Sequence, residues 1–223
     1  MRWMRSVCVA SILDEAIERL YRAFSNEPRP AINEACPCCV TQRELQILAS
    51  TKLREITAEQ LAGYASSVTL TAGSEEDFRY LLPRILDVSM HDEDWWPDHE
   101  VICSNLARAN WFSWPGQLKD SIIGLFSVAL EVAISGDDGW KADELICGFA
   151  LAGLEVGRFL RRLEAEDAAK TLVKFYERNS QSLMKGKLGN AFWRDHKAEA
   201  RPVIEWFVSP HVVSIINVYY GLE

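Results

Sequence analysis

Three closely spaced cysteines form the first group of residues whose chemistry suggests a binding site. Cys36, Pro37, Cys38 and Cys39 follow one another at the end of a proline-rich segment. Closely spaced thiolates are ligands that zinc prefers, although the common knuckle has two residues between its paired ligands. A tetrahedral site at Cys36, Cys38 and Cys39 would need a further ligand from elsewhere in the chain. Uncoordinated thiols at the end of a loop are the simpler interpretation, and zinc is the alternative.

A second segment combines carboxylates, imidazoles and two adjacent tryptophans. Between residues 87 and 100 there are six acidic residues, two histidines and no lysine or arginine. The order of these side chains matches neither an EF-hand loop nor an H-E-x-x-H helix, so a metal site that uses His91 and His99 is an alternative only. Tryptophan anchors with a polar rim are typical of protein interfaces. The candidate partner-binding residues are Asp92, Glu93, Asp94, Trp95, Trp96 and Asp98.

The motifs of common hydrolases and nucleotide-binding enzymes do not occur in the sequence. There is no G-x-S-x-G motif, no G-x-x-x-x-G-K loop and no G-x-G-x-x-G loop. His196 and His211 have no obvious nucleophile near them in sequence. The sequence therefore favours a protein without catalytic activity, and a metal-dependent enzyme is the alternative.

The charge balance favours a basic partner. The 24 lysines and arginines and 32 acidic residues give a formal net charge of −8. Wrapping a phosphate backbone requires clustered cations, so nucleic acid is an unfavoured partner. The cations between Arg158 and Lys174 alternate with glutamates, which is typical of a solvated helix face. An excess of carboxylates suits a protein partner with a basic face.

Targeting signals and membrane spans are not evident in the sequence. The apolar run from Val7 to Leu13 is far shorter than the 18 or more residues of a spanning helix, and no small-x-small cleavage site follows it. Six cysteines in 223 residues are too sparse for a disulfide scaffold. We therefore expect a cytoplasmic protein that does not bind membranes.

Helical periodicity dominates the chain and predicts the elements that carry these residues. Four pairs of residues have the spacing of a capping box ahead of apolar residues at three- and four-residue intervals. These pairs are Ser11 and Asp14, Thr41 and Glu44, Thr57 and Gln60, and Ser74 and Asp77. Residues 203–220 are rich in β-branched side chains, but no partner strands are evident, so we expect helix there too. The predicted fold is all-α, either a multi-helix bundle or a short α-solenoid-like array.

A turn divides the chain into two predicted regions. Ser135, Gly136, Asp137, Asp138 and Gly139 form the clearest turn sequence. The prediction is an N-terminal helical region, 1–135, with the cysteine-rich loop, and a C-terminal helical region, 140–223. One continuous domain is the alternative.

The N-terminal half resembles an uncharacterised family of bacterial proteins. The resemblance rests on the cysteine cluster at 36–39, Leu-Arg-Glu-Ile-Thr at 53–57, Tyr-Ala at 64–65, the block at 77–84 and Trp-Phe-Ser-Trp-Pro at 111–115. It implies kinship but no activity. Together with the charge, it leads to one hypothesis: a non-enzymatic, cytoplasmic protein-binding module. Its concrete version is an immunity protein that neutralises a toxin through the acidic, tryptophan-bearing segment.

Overall fold

The computed structural model describes residues 2–29, 40–67 and 72–222, and within 2–10 only the backbone. These residues form eleven α-helices and no β-strand, which confirms the all-α prediction. No described helix is both long enough and apolar enough to cross a bilayer. The helices are α1 (Arg2–Ala23), α2 (Gln42–Ser50), α3 (Ala58–Ser67), α4 (Glu75–His91), α5 (His99–Arg108), α6 (Gly116–Ser135), α7 (Gly139–Leu151), α8 (Gly157–Leu163), α9 (Ala169–Leu183), α10 (Lys197–Phe207) and α11 (Pro210–Tyr219). Short 3₁₀ helices span Leu53–Glu55, Trp111–Ser113, Glu166–Ala168 and Ala191–Asp195.

Local capping signals set the starts of several helices. The Thr41 hydroxyl accepts a hydrogen bond from the Glu44 backbone N–H, and the Glu44 carboxylate accepts one from the Thr41 N–H. Ser74 and Asp77 make the same reciprocal pair at the start of α4. These reciprocal bonds confirm the two predicted capping boxes. Each box provides acceptors for two backbone N–H groups that have no partner within the helix.

One predicted helix start was wrong. Ser11 does not begin a helix, since α1 already runs from Arg2. Residues 2–10 contain no proline or glycine that would end a helix, so the helix begins before Ser11 and runs through the pair Ser11 and Asp14. Further along the chain, the 3₁₀ helix Ala191–Asp195 leads into α10. The predicted helical state of 203–220 is confirmed by α10 and α11, where Ser209 caps the second helix.

The chain divides into two compact units. The N-terminal unit comprises Asp14–Leu125, and the C-terminal unit comprises Met1–Leu13 together with Phe126–Glu223. The turn predicted at 135–139 separates α6 from α7, and the Asp138 side chain accepts hydrogen bonds from two N–H groups of α7. The division of the chain into domains at this turn stays a prediction.

Aromatic side chains fill the interior of both units. In the N-terminal unit, Phe24 and Phe78 each pack edge-on against Trp114, with ring centroids 6.3 Å apart. In the C-terminal unit, Phe149 lies between Phe126 and Phe159, at centroid distances of 4.7 and 4.6 Å. Such pairs add to the stabilisation from burying apolar area. Each unit therefore has its own aromatic core, and the surface loops connect helices that pack on that core.

Helices α7 and α9 approach each other closely at Gly139. A Cβ atom at this position would overlap the backbone nitrogen of Phe175 and the side chain of Lys174. Only glycine therefore fits where α7 begins. This close approach fixes the position of α9, which leads into the turn at 184–190.

Candidate functional site

The predicted partner-binding residues occupy one loop between α4 and α5, at positions 92–98, which we call the acidic loop. Asp92, Glu93, Asp94 and Asp98 are all exposed. None of the four carboxylates makes an ion pair within the described part of the chain. The Asp92 carboxylate accepts a hydrogen bond from the Asp94 backbone N–H, and the Asp98 side chain makes no capping bond at the start of α5. The loop therefore presents four uncompensated negative charges to solvent.

The two tryptophans of the acidic loop have opposite environments. Trp95 is only 9% exposed, and its indole N–H donates to the backbone oxygen of Ala58 at 2.9 Å. Trp96 is 58% exposed. Pro97 is buried, and the Trp96–Pro97 peptide bond is cis. Trp95 therefore fixes the loop to the start of α3, whereas the Trp96 ring is open to solvent.

His91 is the last residue of α4 and directly precedes the acidic loop. Its imidazole takes part in a charged hydrogen-bond network. Its Nδ1 lies 3.0 Å from a carboxylate oxygen of Asp87, and its Nε2 lies 3.1 Å from one of Asp14 in α1. The hydrogen bond to Asp87 is the main cause that raises the pKa of His91 to about 9. An imidazole that is protonated at neutral pH cannot serve as a general base there. The network therefore acts as a link between α1 and α4.

Asp87 is the centre of this network. Its carboxylate also accepts hydrogen bonds from the Tyr21 hydroxyl and the Arg84 guanidinium, each at 2.8 Å. Burial acts to raise the pKa of Asp87, but the hydrogen bonds from His91, Tyr21 and Arg84 lower it below its ordinary value. Both oxygen atoms of the Asp87 carboxylate therefore accept hydrogen bonds, whereas the loop carboxylates form no ion pair within the described residues.

His99 and Cys103 form a buried imidazole–thiol pair in α5. The Nε2 atom of His99 lies 3.3 Å from the Cys103 sulfur, and both side chains are buried. Burial raises the pKa of the Cys103 thiol, and nearby Glu100 raises it further. A nucleophilic cysteine needs a lowered pKa and access to solvent. This pair has neither property.

His91 and His99, the two histidines of the alternative metal site, contact different residues in the structure. His91 contacts Asp87 and Asp14, whereas His99 contacts Cys103. Within the described residues, no group of three or more His, Cys, Asp or Glu side chains is placed to hold a metal ion. Cys36, Cys38 and Cys39 lie outside the described residues, so the zinc site there stays a prediction.

Two of the five cations between 158 and 174 form ion pairs within the C-terminal unit. The Arg162 guanidinium forms hydrogen-bonded ion pairs with Glu131 and Asp167 at 2.7–2.9 Å. Lys170 pairs with Asp137 at 2.7 Å. These contacts agree with the interpretation of this stretch as a solvated, ion-paired helix face.

A groove in the C-terminal unit was missed by sequence reasoning. It has a volume of about 730 Å³ and is formed by the turn at 186–188, the 3₁₀ helix Ala191–Asp195 and α10. Four cations lie along it: Lys187, Arg194, Lys197 and Arg201. The available signal was composition, because residues 185–201 contain five lysines and arginines and only two acids in an acidic chain. The sequence does not show that these side chains converge.

Comparisons with known proteins do not add to this picture. Neither the family models, the curated proteins nor the solved structures give a match to this chain. The resemblance of the N-terminal half to a bacterial family stays a prediction.

Proposed function

We propose that this chain binds another protein that presents a basic face, and that the acidic loop is the contact surface. The observation that supports this most strongly is the exposed Trp96 among four exposed carboxylates that form no ion pair with any described residue. A lone exposed apolar residue needs no explanation, but an indole with an acidic rim has the composition of an interface centre. We infer that the protein acts through binding.

The two parts of this surface have different physical roles. Carboxylates that remain free attract a cationic partner over distance and raise the association rate. An indole that is desolvated in a pocket of the partner slows dissociation. The hydrogen bond from Trp95 to Ala58 holds the loop before binding, which reduces the conformational entropy lost on association.

One concrete version of this proposal is an immunity protein that covers the basic cleft of a toxin. An enzyme that cuts or modifies nucleic acid needs a cationic cleft to hold the phosphate backbone. The acidic loop carries four negative charges in seven residues, so it would compete for such a cleft. Burial of Trp96 in that cleft would add an apolar contact that a nucleic-acid backbone lacks.

The proposal is tested by comparing three immobilised full-length proteins: wild type, Trp96→Ala and Phe112→Ala. Phe112 is a matched control because it is also an exposed aromatic side chain of the N-terminal unit, 47% exposed. Each protein is incubated with a lysate of the organism that encodes the chain. Captured proteins are quantified by mass spectrometry.

We expect a basic protein that wild type and Phe112→Ala capture equally and that Trp96→Ala captures at least about tenfold less, as for a tryptophan hot spot. Equal capture by all three proteins would overturn the proposal. The toxin version has a second requirement: the captured partner, expressed alone, must arrest growth. Wild type should then relieve the arrest, and Trp96→Ala should not.

A further inference from the structure

The groove of the C-terminal unit has an apolar floor. Leu188, Trp193 and Ala200 are buried beneath it, and Ile204 is half-buried beside them. Its volume of about 730 Å³ lies within the range of small-molecule sites, roughly 300–1,000 Å³. The groove is therefore large enough for the apolar body of a small ligand.

The rim of the groove carries a surplus of positive charge. Lys187, Arg194 and Lys197 are exposed, and none of them forms an ion pair within the described residues. Arg201 pairs with Glu205, which is the acidic residue among those that line the groove, at 2.7 Å. Four cations and one carboxylate therefore surround the opening, in a chain whose formal net charge is −8. This local excess favours an anionic ligand.

Trp193, which lines the groove, carries a buried polar group without a hydrogen-bond partner among the described residues. Its side chain lines the groove and is 3% exposed, yet the described residues offer no hydrogen-bond acceptor to its indole nitrogen. Buried indole N–H groups normally have a partner, because the lost hydrogen bond to water is otherwise not replaced. The nitrogen atom itself is shielded from solvent, so an oxygen atom of a bound ligand would reach it only after the side chains around it move.

The walls of the groove are held by hydrogen bonds. The buried Asn179 side chain of α9 accepts a hydrogen bond from the Gly189 backbone N–H at 2.7 Å. The Asn190 side chain accepts one from the Phe192 N–H and starts the 3₁₀ helix. Leu188 and Trp193 are therefore fixed on either side of this short connection.

We propose that this groove binds a small amphipathic organic anion. A carboxylate or phosphate head would contact Arg194 and Lys197, and the apolar body would lie on Ile204 and Leu188. An oxygen atom of the ligand would accept a hydrogen bond from the Trp193 indole N–H. The volume favours a small ligand over a macromolecular one. This site lies in the C-terminal unit and does not depend on the function proposed for the acidic loop.

Dodecanoate, at monomeric concentrations, is the probe for calorimetric titration of the full chain. Dodecyltrimethylammonium has the same tail with a positive head, and inorganic phosphate is an anion without a tail. We expect saturable binding of one dodecanoate, with both comparison compounds weaker by about tenfold or more. Dodecyl phosphate is titrated alongside, and the tighter of the two anions identifies the head group.

Two double variants locate the binding. Arg194→Gln/Lys197→Gln should weaken dodecanoate binding by about tenfold or more, as expected for lost charge-assisted hydrogen bonds. Arg158→Gln/Arg161→Gln is the control, because it removes two exposed cations of the same unit that do not line the groove. The control should bind dodecanoate as wild type does. Melting curves of both variants verify that they are folded.

Trp193→Phe tests the indole contact separately, because phenylalanine keeps an apolar ring but has no N–H group. We expect roughly three- to tenfold weaker binding. In the nitrogen-15 spectrum of wild type, dodecanoate should shift the Trp193 indole signal, which is assigned by its loss in this variant. No saturable binding, equal binding of the cationic compound, equal loss in both double variants, or an unmoved Trp193 signal would each overturn the proposal.

Discussion

Trp95 and Trp96 are neighbours in the sequence but lie in opposite environments. The first is buried and donates a hydrogen bond to Ala58, and the second is exposed between carboxylates. Sequence reasoning could find the pair but could not separate its members, because both have the same side chain and the same acidic neighbours. Only the position of α3 decides which indole is buried.

The two tryptophans should respond differently to truncation. Trp95→Ala should lower the free energy of unfolding by about 3–5 kcal/mol, because it leaves a cavity and removes a hydrogen bond. Trp96→Ala should change it by no more than about 0.5 kcal/mol. Urea denaturation of the two variants and wild type measures both values. Similar losses for the two variants would contradict the assigned environments.

His91 should make stability depend on pH. Its pKa is raised from 6.5 to about 9, chiefly by the hydrogen bond to Asp87, so the folded state binds the proton more tightly than the unfolded state does. The stabilisation is therefore complete below about pH 6.5 and is lost as pH rises through about 9. We expect the melting temperature to fall over this interval.

His91→Gln is the control for this pH effect, because glutamine has no charge to lose. The variant should melt at a lower temperature than wild type at pH 6, and the difference between them should narrow by pH 9.5. Melting curves at intervals of half a pH unit measure this convergence. A difference that is constant with pH would exclude the proposed protonated state.

At the scale of elements, one glycine contact controls how α7 packs on α9. Gly139→Ala should lower the free energy of unfolding by about 1–3 kcal/mol, because its Cβ atom would overlap backbone atoms of α9. Gly124→Ala is the matched control: Gly124 lies exposed in α6, and apart from the adjacent helix backbone no described atom lies within 4 Å of an added Cβ. There we expect stabilisation of up to about 1 kcal/mol, the difference in helix propensity. Thermal unfolding of both variants measures these opposite signs.

Helix starts were predictable where the deciding contacts are local. Thr41 with Glu44 and Ser74 with Asp77 contact each other across three residues, so spacing alone identifies them. The break after α7 was not predicted, since Gly153 adopts a φ of 83° that the surrounding helix-forming residues do not indicate. The close approach at Gly139 was also out of reach, because it depends on residues more than 30 positions away.

At the scale of the whole molecule, the two candidate sites differ in how far the sequence alone can predict them. The acidic loop is seven consecutive residues, and its composition alone indicates an exposed, negatively charged surface. The groove draws its lining from a turn, a 3₁₀ helix and α10. Its apolar floor and its cations therefore meet only after folding. A contiguous site can be predicted from sequence, whereas a site assembled from several elements needs the structure.

The net charge of −8 conceals an uneven distribution. The acidic loop lies in the N-terminal unit, and the cation-lined groove lies in the C-terminal unit. The overall charge favours the cationic partner that we propose for the loop, but it obscures the surplus of cations around the groove. The net charge of a chain therefore does not predict the charge of an individual surface, which has to be taken from the structure.

The most direct test of binding through the acidic loop is the association rate constant with the captured partner, measured by stopped flow at increasing NaCl. Glu93→Gln/Asp94→Asn removes two loop charges, and Glu76→Gln/Asp120→Asn removes two exposed charges elsewhere in the N-terminal unit. We expect the loop variant to associate about threefold more slowly at low salt and to depend less on salt, because rim charges steer association. The control variant should match wild type. Equal rates for all three proteins, or an equal loss in both variants, would contradict the account.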